Sequence, residues 1–227
     1  MESTYIALAE RAVEVHRNSS LPRIVIALAG PPGSGKSTIA AEVVSRINDG
    51  ASQRIAIVVP MDGFHYSRAH LDTLPNPIEA YRRRGIYWTF DANGVLDLVK
   101  TLHLSRTAAP AMILAPSFDH ATKDPVEGGI EVAPEVKIII IEGNWLLFDR
   151  DPWKQIQLYV DDTWFVDIET DQALQRVALR HLKSGVEANW EAALNRARQN
   201  DLLNGDEVRN NLIKPNVVVR STEHSTE

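Results

Sequence analysis

Nine residues constrain this chain more than anything else in it. Gly30-Pro-Pro-Gly-Ser-Gly-Lys36-Ser37-Thr38 has the spacing GxxxxGK[ST]. The apolar run Arg23–Ala29 stands before it and the amphipathic pattern Ser37–Ile47 after it, so the motif falls in a turn from strand to helix. Gly30, Gly33 and Gly35 carry no Cβ, which lets the backbone wrap closely around phosphate oxygens. The amides of Gly33, Ser34, Gly35, Lys36, Ser37 and Thr38 then form a concavity for anions, at the positive end of a helix. Lys36 has the reach for β- and γ-phosphates, and the Ser37 hydroxyl suits Mg²⁺. A dinucleotide fingerprint is the competing glycine-rich reading. It fails because Thr38 stands where the third glycine belongs and because it leaves Lys36 and Ser37 unexplained.

The rest of the chain alternates short β-branched runs with amphipathic segments. Arg54–Val59, Lys137–Ile141, Thr163–Ile168 and Val217–Val219 read as further strands. Ala92–Leu104, capped by Asp91, reads as a helix, as do Asp171–Lys183 and Glu187–Leu203. Residues 1–20 open with a helix whose apolar face is Ile6, Ala9 and Val13. Gly205 reads as the cap that ends the helix carrying Asn200, Asp201 and Asn204. Ala115–Pro134, with three prolines and paired glycines, reads as a long irregular excursion, and Ser221–Glu227 as a flexible tail. Continuous apolar strands separated by helices predict a parallel sheet covered on both faces. The expectation is one domain over 1–227, an α/β three-layer P-loop NTPase fold with a parallel β-sheet core and a short helical lid at about 181–191.

Ligands in such a sheet bind beyond the carboxyl ends of the strands. Two acids stand there. Asp62 follows strand Arg54–Val59, placed to take the proton of an attacking hydroxyl or to hold Mg²⁺. Glu142 ends strand Lys137–Ile141, the pattern of an acid that orients Mg²⁺ or its waters.

Taken together, the phosphate loop, Met61-Asp-Gly-Phe-His65, Arg83-Arg-Gly-Ile-Tyr-Trp-Thr-Phe-Asp91, Pro116-Ser-Phe-Asp-His120 and Ile138-Ile-Ile-Ile-Glu-Gly-Asn-Trp145 resemble the phosphoribulokinase/uridine kinase/bacterial pantothenate kinase superfamily. Its fructose-transport-associated, uridine-kinase-like branch is the nearest in pattern, over about Arg23 to Val219. The resemblance implies that Asp62 is the general base, that Glu142 serves Mg²⁺, and that Arg180 is a lid arginine closing over the nucleotide phosphates. It places Asp119 and His120 in the acceptor-binding segment, where Phe118 replaces a tyrosine of uridine kinases, and puts Ile213–Asn216 near the adenine. His65, Arg84 and Tyr87 join Asp62, Phe118, Asp119 and His120 as candidate acceptor contacts.

Composition narrows the partners. The chain has no cysteine, which excludes disulfides, thiolate metal sites and cysteine nucleophiles. A formal charge of −6 without a basic tract argues against a nucleic-acid partner. No apolar run approaches the roughly 20 residues of a membrane span, since even Val136–Ile141 is broken by Lys137. A cytoplasmic location fits, and a homodimer is compatible with the sequence. The reading is a kinase using ATP and Mg²⁺ on the hydroxyl of a small metabolite. The alternative is a nucleotide-dependent switch or ATPase acting on a protein partner, which the absence of an NKxD guanine-reading sequence disfavours.

Overall fold

The computed structural model describes residues 1–49, 51–106 and 111–222. In chain order its elements begin with α1 (Glu2–Asn18), β1 (Ile24–Ala29), α2 (Lys36–Asp49) and β2 (Ala56–Pro60). Two short helices follow, α3 (Arg68–Asp72) and α4 (Pro77–Arg82), then α5 (Ala92–Leu104). The second half holds β3 (Ile113–Asp119), β4 (Asp124–Val132), β5 (Ile138–Gly143), β6 (Asp162–Asp167), α6 (Thr170–Lys183), α7 (Trp190–Arg196), α8 (Leu202–Asn210) and β7 (Val217–Arg220).

Five strands form one parallel sheet in the order β2-β5-β1-β6-β7. β1 and β5 are buried along their whole length, as expected of central strands covered on both faces. Strand pleating sorts their side chains between two cores. Val25, Ala27, Ile139 and Ile141 face α5 through Val95, Val99 and Leu102. Ile24, Ile26, Ile138 and Ile140 face α1 and α2 through Leu8, Ala12, Ile39 and Val43. The result is the three-layer α/β/α fold. Among the described residues no helix is long and apolar enough to cross a membrane.

Register decides where chemistry can occur. Leu28 and Pro60 both pair with Glu142, and Ala29 pairs with Gly143. The three strands β2, β5 and β1 therefore end level, and Asp62, Glu142 and the Gly30–Thr38 loop emerge at one edge.

Several expectations change. The excursion at Ala115–Pro134 is instead most of an antiparallel hairpin, β3–β4, with a register shift between Ala115 and Ser117. Alternation explains it: Ile113, Ala115 and Val132 are buried while Leu114 and Glu131 face out. The helix expected over Glu187–Leu203 is α7, then a π-helical turn at Ala197–Asp201, then α8, which runs on to Asn210. Gly205 lies inside α8 rather than capping it, where a Cβ would come within 3.2 Å of Pro31. The buried face of α1 is Tyr5, Leu8, Ala9 and Ala12, and Ile6 is exposed. Ile6 and Ala9 share a helical spacing, but the α2 surface meets the helix one step round. Of the expected flexible tail, Ser221 and Thr222 are held: the Ser221 amide donates to the Asp167 carbonyl (2.8 Å), and Arg176 grips both residues. The remainder of that tail, 223–227, lies outside the described residues.

The hairpin docks on the 3-10 turn Met61–Phe64 that carries Asp62. A Cβ at Gly63 would stand 2.0 Å from the Pro116 carbonyl oxygen, which is backbone and has no room to retreat. Gly63→Ala is expected to destabilise the fold by about 1–3 kcal/mol, the scale of overpacking in a tight contact. Urea unfolding checks this, and an unchanged midpoint would mean that the hairpin is not seated on this turn.

Candidate active site

The loop between β1 and α2 is shaped by two left-handed residues, Gly33 (φ 80°) and Gly35 (φ 85°). Only glycine adopts that conformation without cost. Gly33 also has no room for a Cβ, which would lie 3.0 Å from the Ala173 carbonyl of α6. Behind the loop, Ser34 is fully buried, and its hydroxyl has no partner among the described residues. Arg176 of α6 donates to Gly33 O (3.4 Å), Ser221 Oγ (2.8 Å) and Thr222 O (3.0 Å), tying the loop to the end of β7.

Beside the loop stands Glu142, only 6% exposed. It accepts a hydrogen bond from Ser37 Oγ at 3.0 Å. Burial pushes its pKa up and Asp62 adds to that, while Lys36, the Ser37 hydroxyl and Arg180 pull it back. Burial pushes Lys36 down, opposed by Glu142 and Asp62. Desolvation thus disfavours both charged forms and their neighbours offset it only in part, the pattern of a functional cluster.

The loop separates two cavities. One, of about 420 Å³, is lined by Gly33, Ser34, Gly35, Thr38, Tyr5 and Arg176. The other, of about 700 Å³, gathers Lys36, Asp62, His65, Arg84, Phe118, His120 and Arg180 from elements far apart in sequence. Two sequence candidates turn elsewhere. Tyr87 packs against Trp145 and Phe148, with Arg150 over its ring. Asp119 folds back on its own turn, accepting from Ala121 N (2.8 Å) and Thr122 Oγ1 (2.9 Å), and these bonds hold its carboxyl below the usual range. The Ile213–Asn216 loop precedes a strand parallel to β1, so Asn216 sits at the opposite edge, with its amide on Thr163 O (2.9 Å).

The same cavity exposes Lys123, Asn144 and Arg196, which are not among the sequence candidates, with His181 from the expected lid and Asn200, Asp201 and Asn204, which read from sequence only as a helix end. Asp201 accepts from His181 Nε2 at 2.8 Å and lies 3.6 Å from Arg180. Asn204 accepts from Arg83 (2.9 Å), and Asn200 donates to the Arg84 carbonyl (3.1 Å). A signal existed. Three short polar residues within five positions of a helix are poor helix formers, and a π-turn commonly marks a functional site.

The phosphoribulokinase / uridine kinase family profile matches residues 25–185. The chain belongs to this family. A protein of Schizosaccharomyces pombe, C227.14, named as a candidate uridine kinase, is 40% identical over 99% of this chain and 93% of its own length. The ATP-dependent kinase YFH7 of Lachancea thermotolerans is 36% identical over 86% of this chain, which spans 65% of that longer protein. Among solved structures, YFH7 of Saccharomyces cerevisiae superposes with a TM-score of 0.87 at 27% identity, covering 97% of this chain and 99% of that one. A candidate fructose transport system kinase of Silicibacter sp. TM1040 gives 0.80 at 31% identity, covering 94% and 98%. The fold is that of the family's P-loop kinases.

Within the larger cavity His65 is a strongly perturbed base. Its ring stacks on Phe90 (centroids 3.9 Å apart) and its buried Nδ1 has no partner among the described residues. Burial lowers its pKa from 6.5 to about 4, and Asp62, 3.9 Å away, offsets only part of that. The unfolded chain protonates His65 as pH falls through 6.5, whereas the folded chain resists until about 4. The unfolded state binds more protons in that window, so stability falls as pH falls across it. Urea titrations from pH 7 to 4 are expected to show a steeper loss for wild type than for His65→Gln. Parallel profiles would contradict the burial of a neutral imidazole.

Proposed function

We propose that this chain transfers the γ-phosphoryl group of ATP to a hydroxyl of a small metabolite, as one domain over 1–227 with a lid at about 181–191. The observation that carries this reading is the pair of cavities on either side of the phosphate loop, with Lys36, Asp62 and Arg180 together in the larger one. The smaller suits the nucleoside, and about 700 Å³ suits a metabolite-sized acceptor beside the transferring phosphate. The relatives named as the ATP-dependent kinase YFH7 support ATP as donor.

In this reading the amides of the loop, Thr38 among them, and Lys36 hold the phosphates. Asp62 aligns the acceptor hydroxyl and takes its proton as the new P–O bond forms and the bond to the β-phosphate oxygen breaks, releasing ADP. Arg180 balances the charge on the moving phosphoryl group. Ser37 and Glu142, with Asp62 facing them, form an all-oxygen donor set that fits Mg²⁺. Phosphate and water ligands would complete the coordination of such an ion. When bound, Mg²⁺ supplies neutralisation of the β- and γ-phosphates. The turn between α6 and α7, where Gly185 takes φ 66° in open space, suits a segment that closes over the nucleotide.

An ADP-release assay across nucleosides, sugars, ribosides and hydroxy acids tests the reading. Lys36→Ala is expected to abolish acceptor-dependent turnover, and Asp62→Asn to lower kcat at least ~10²-fold, the scale of general-base loss. Wild-type turnover in Asp62→Asn would remove that carboxylate from the mechanism. A slow rate indifferent to every acceptor would favour a nucleotide-driven switch.

A further inference from the structure

Three arginines stand in a row at 82–84, and two of them are spent. Arg82 forms a two-pronged pair with Glu79 on the surface (2.7 Å each). Arg83 donates to Gln199 O (3.2 Å) and Asn204 Oδ1 (2.9 Å). Arg84 is different. It lines the large cavity with only 14% of its side chain exposed, and its buried Nε has no partner among the described residues. Among the described residues its guanidinium makes one close hydrogen bond, from Nη2 to Tyr66 O at 2.9 Å. The nearest acid, Asp124, stands 3.7 Å away, partly exposed, with the oxygen that faces Arg84 already accepting from Arg68 N at 2.7 Å. A buried guanidinium with so little compensation is costly unless an anion completes it.

Its neighbours point the same way. Lys123, half-buried at the hairpin tip, forms no ion pair among the described residues, and His120 lines the cavity beside it. The acids of the cavity are engaged elsewhere: Asp201 faces His181 and Arg180, and Asp62 faces Lys36. The aromatic faces are engaged too. Phe90 stacks on His65, His65 leans on Phe118 (5.0 Å), and the Arg84 guanidinium lies over the Phe118 ring (5.5 Å). His120 meets the same ring edge-on (5.3 Å). That layered stack holds the Arg84 guanidinium against the Phe118 ring at the cavity wall.

Resting on the reading that this cavity takes the acceptor, we infer that the acceptor is an anionic hydroxy compound whose carboxylate or phosphate is recognised by Arg84, with Lys123 and His120 beside it. Its hydroxyl is turned toward Asp62, which lines the same cavity with His65.

The test loads the full chain with Mg²⁺ and the non-hydrolysable ATP analogue AMP-PNP, filling the phosphate loop. Inorganic phosphate is then titrated in by calorimetry. A second saturable site is expected, weakened at least ~10-fold in Arg84→Gln, the loss of one charge-assisted interaction. Lys123→Gln should weaken it in the same direction. That side chain sits at a hairpin tip without an ion pair, so the result stands even if Arg84→Gln folds poorly. Arg150→Gln, outside the cavity, should leave it unchanged. No phosphate site on the loaded protein, or one indifferent to both cavity substitutions, overturns the inference. Turnover with the matched pairs glycerol and glycerate, and ribose and ribose 5-phosphate, separates carboxylate from phosphate, and a preference for the neutral members also overturns it. Failure of AMP-PNP itself to bind would count instead against the kinase reading.

Discussion

The site depends on two parallel strands lying side by side with level ends. Because Leu28 of β1 is opposite Glu142 of β5, the helix start at Lys36–Ser37 and the carboxylate that ends β5 meet at hydrogen-bond distance. Parallel pairing between β1 and β5 is non-local, and both strands are buried on both faces. A one-residue slip would turn every isoleucine of β5 to the wrong core and carry Glu142 out of reach of Ser37. The hydrophobic core therefore fixes the geometry of the polar edge, and the two cannot be optimised separately.

That edge is electrostatically unfinished in the protein alone. Burial moves Glu142 up and Lys36 down, each toward its neutral form, and the mutual attraction of the two only partly reverses this. A nucleotide and its cation bring the opposite charges to the same place, so ligand binding relieves a cost that folding leaves in place. The same logic extends outward through His65 to Arg84, where the charge left over is positive. Strain of this kind lies in a cavity bounded by rigid strands on one side and by the α6–α7 turn on the other, the arrangement that lets a site be both ordered and accessible.

Much of this was legible in the residues. The phosphate loop announces itself because its glycines answer a local demand, positive φ and close approach, that few other sequences meet. The β-branched strands are equally plain, and with them the edge where Asp62 and Glu142 stand. What was hidden depends on packing between distant segments. The β3–β4 hairpin carries prolines and glycines that read as irregular chain, yet they sit where the hairpin kinks and seats on Gly63. Asn200, Asp201 and Asn204 looked like a helix end, but the π-turn at Ala197–Asp201 leads into a helix that runs on to Asn210, and all three line the cavity. Tyr87 shares a segment with Arg84 but faces the core, a difference of orientation that no one-dimensional pattern records.

The most direct measurement of the central claim follows the phosphoryl group itself. ATP labelled with ¹⁸O at the γ-phosphate is incubated with the protein and a small-molecule cell extract, and the products are read by mass spectrometry. The account predicts a phosphate ester carrying three heavy oxygens, present with wild type and absent with Lys36→Ala. Label recovered only in inorganic phosphate, at equal rates with and without extract, would contradict transfer to a metabolite hydroxyl.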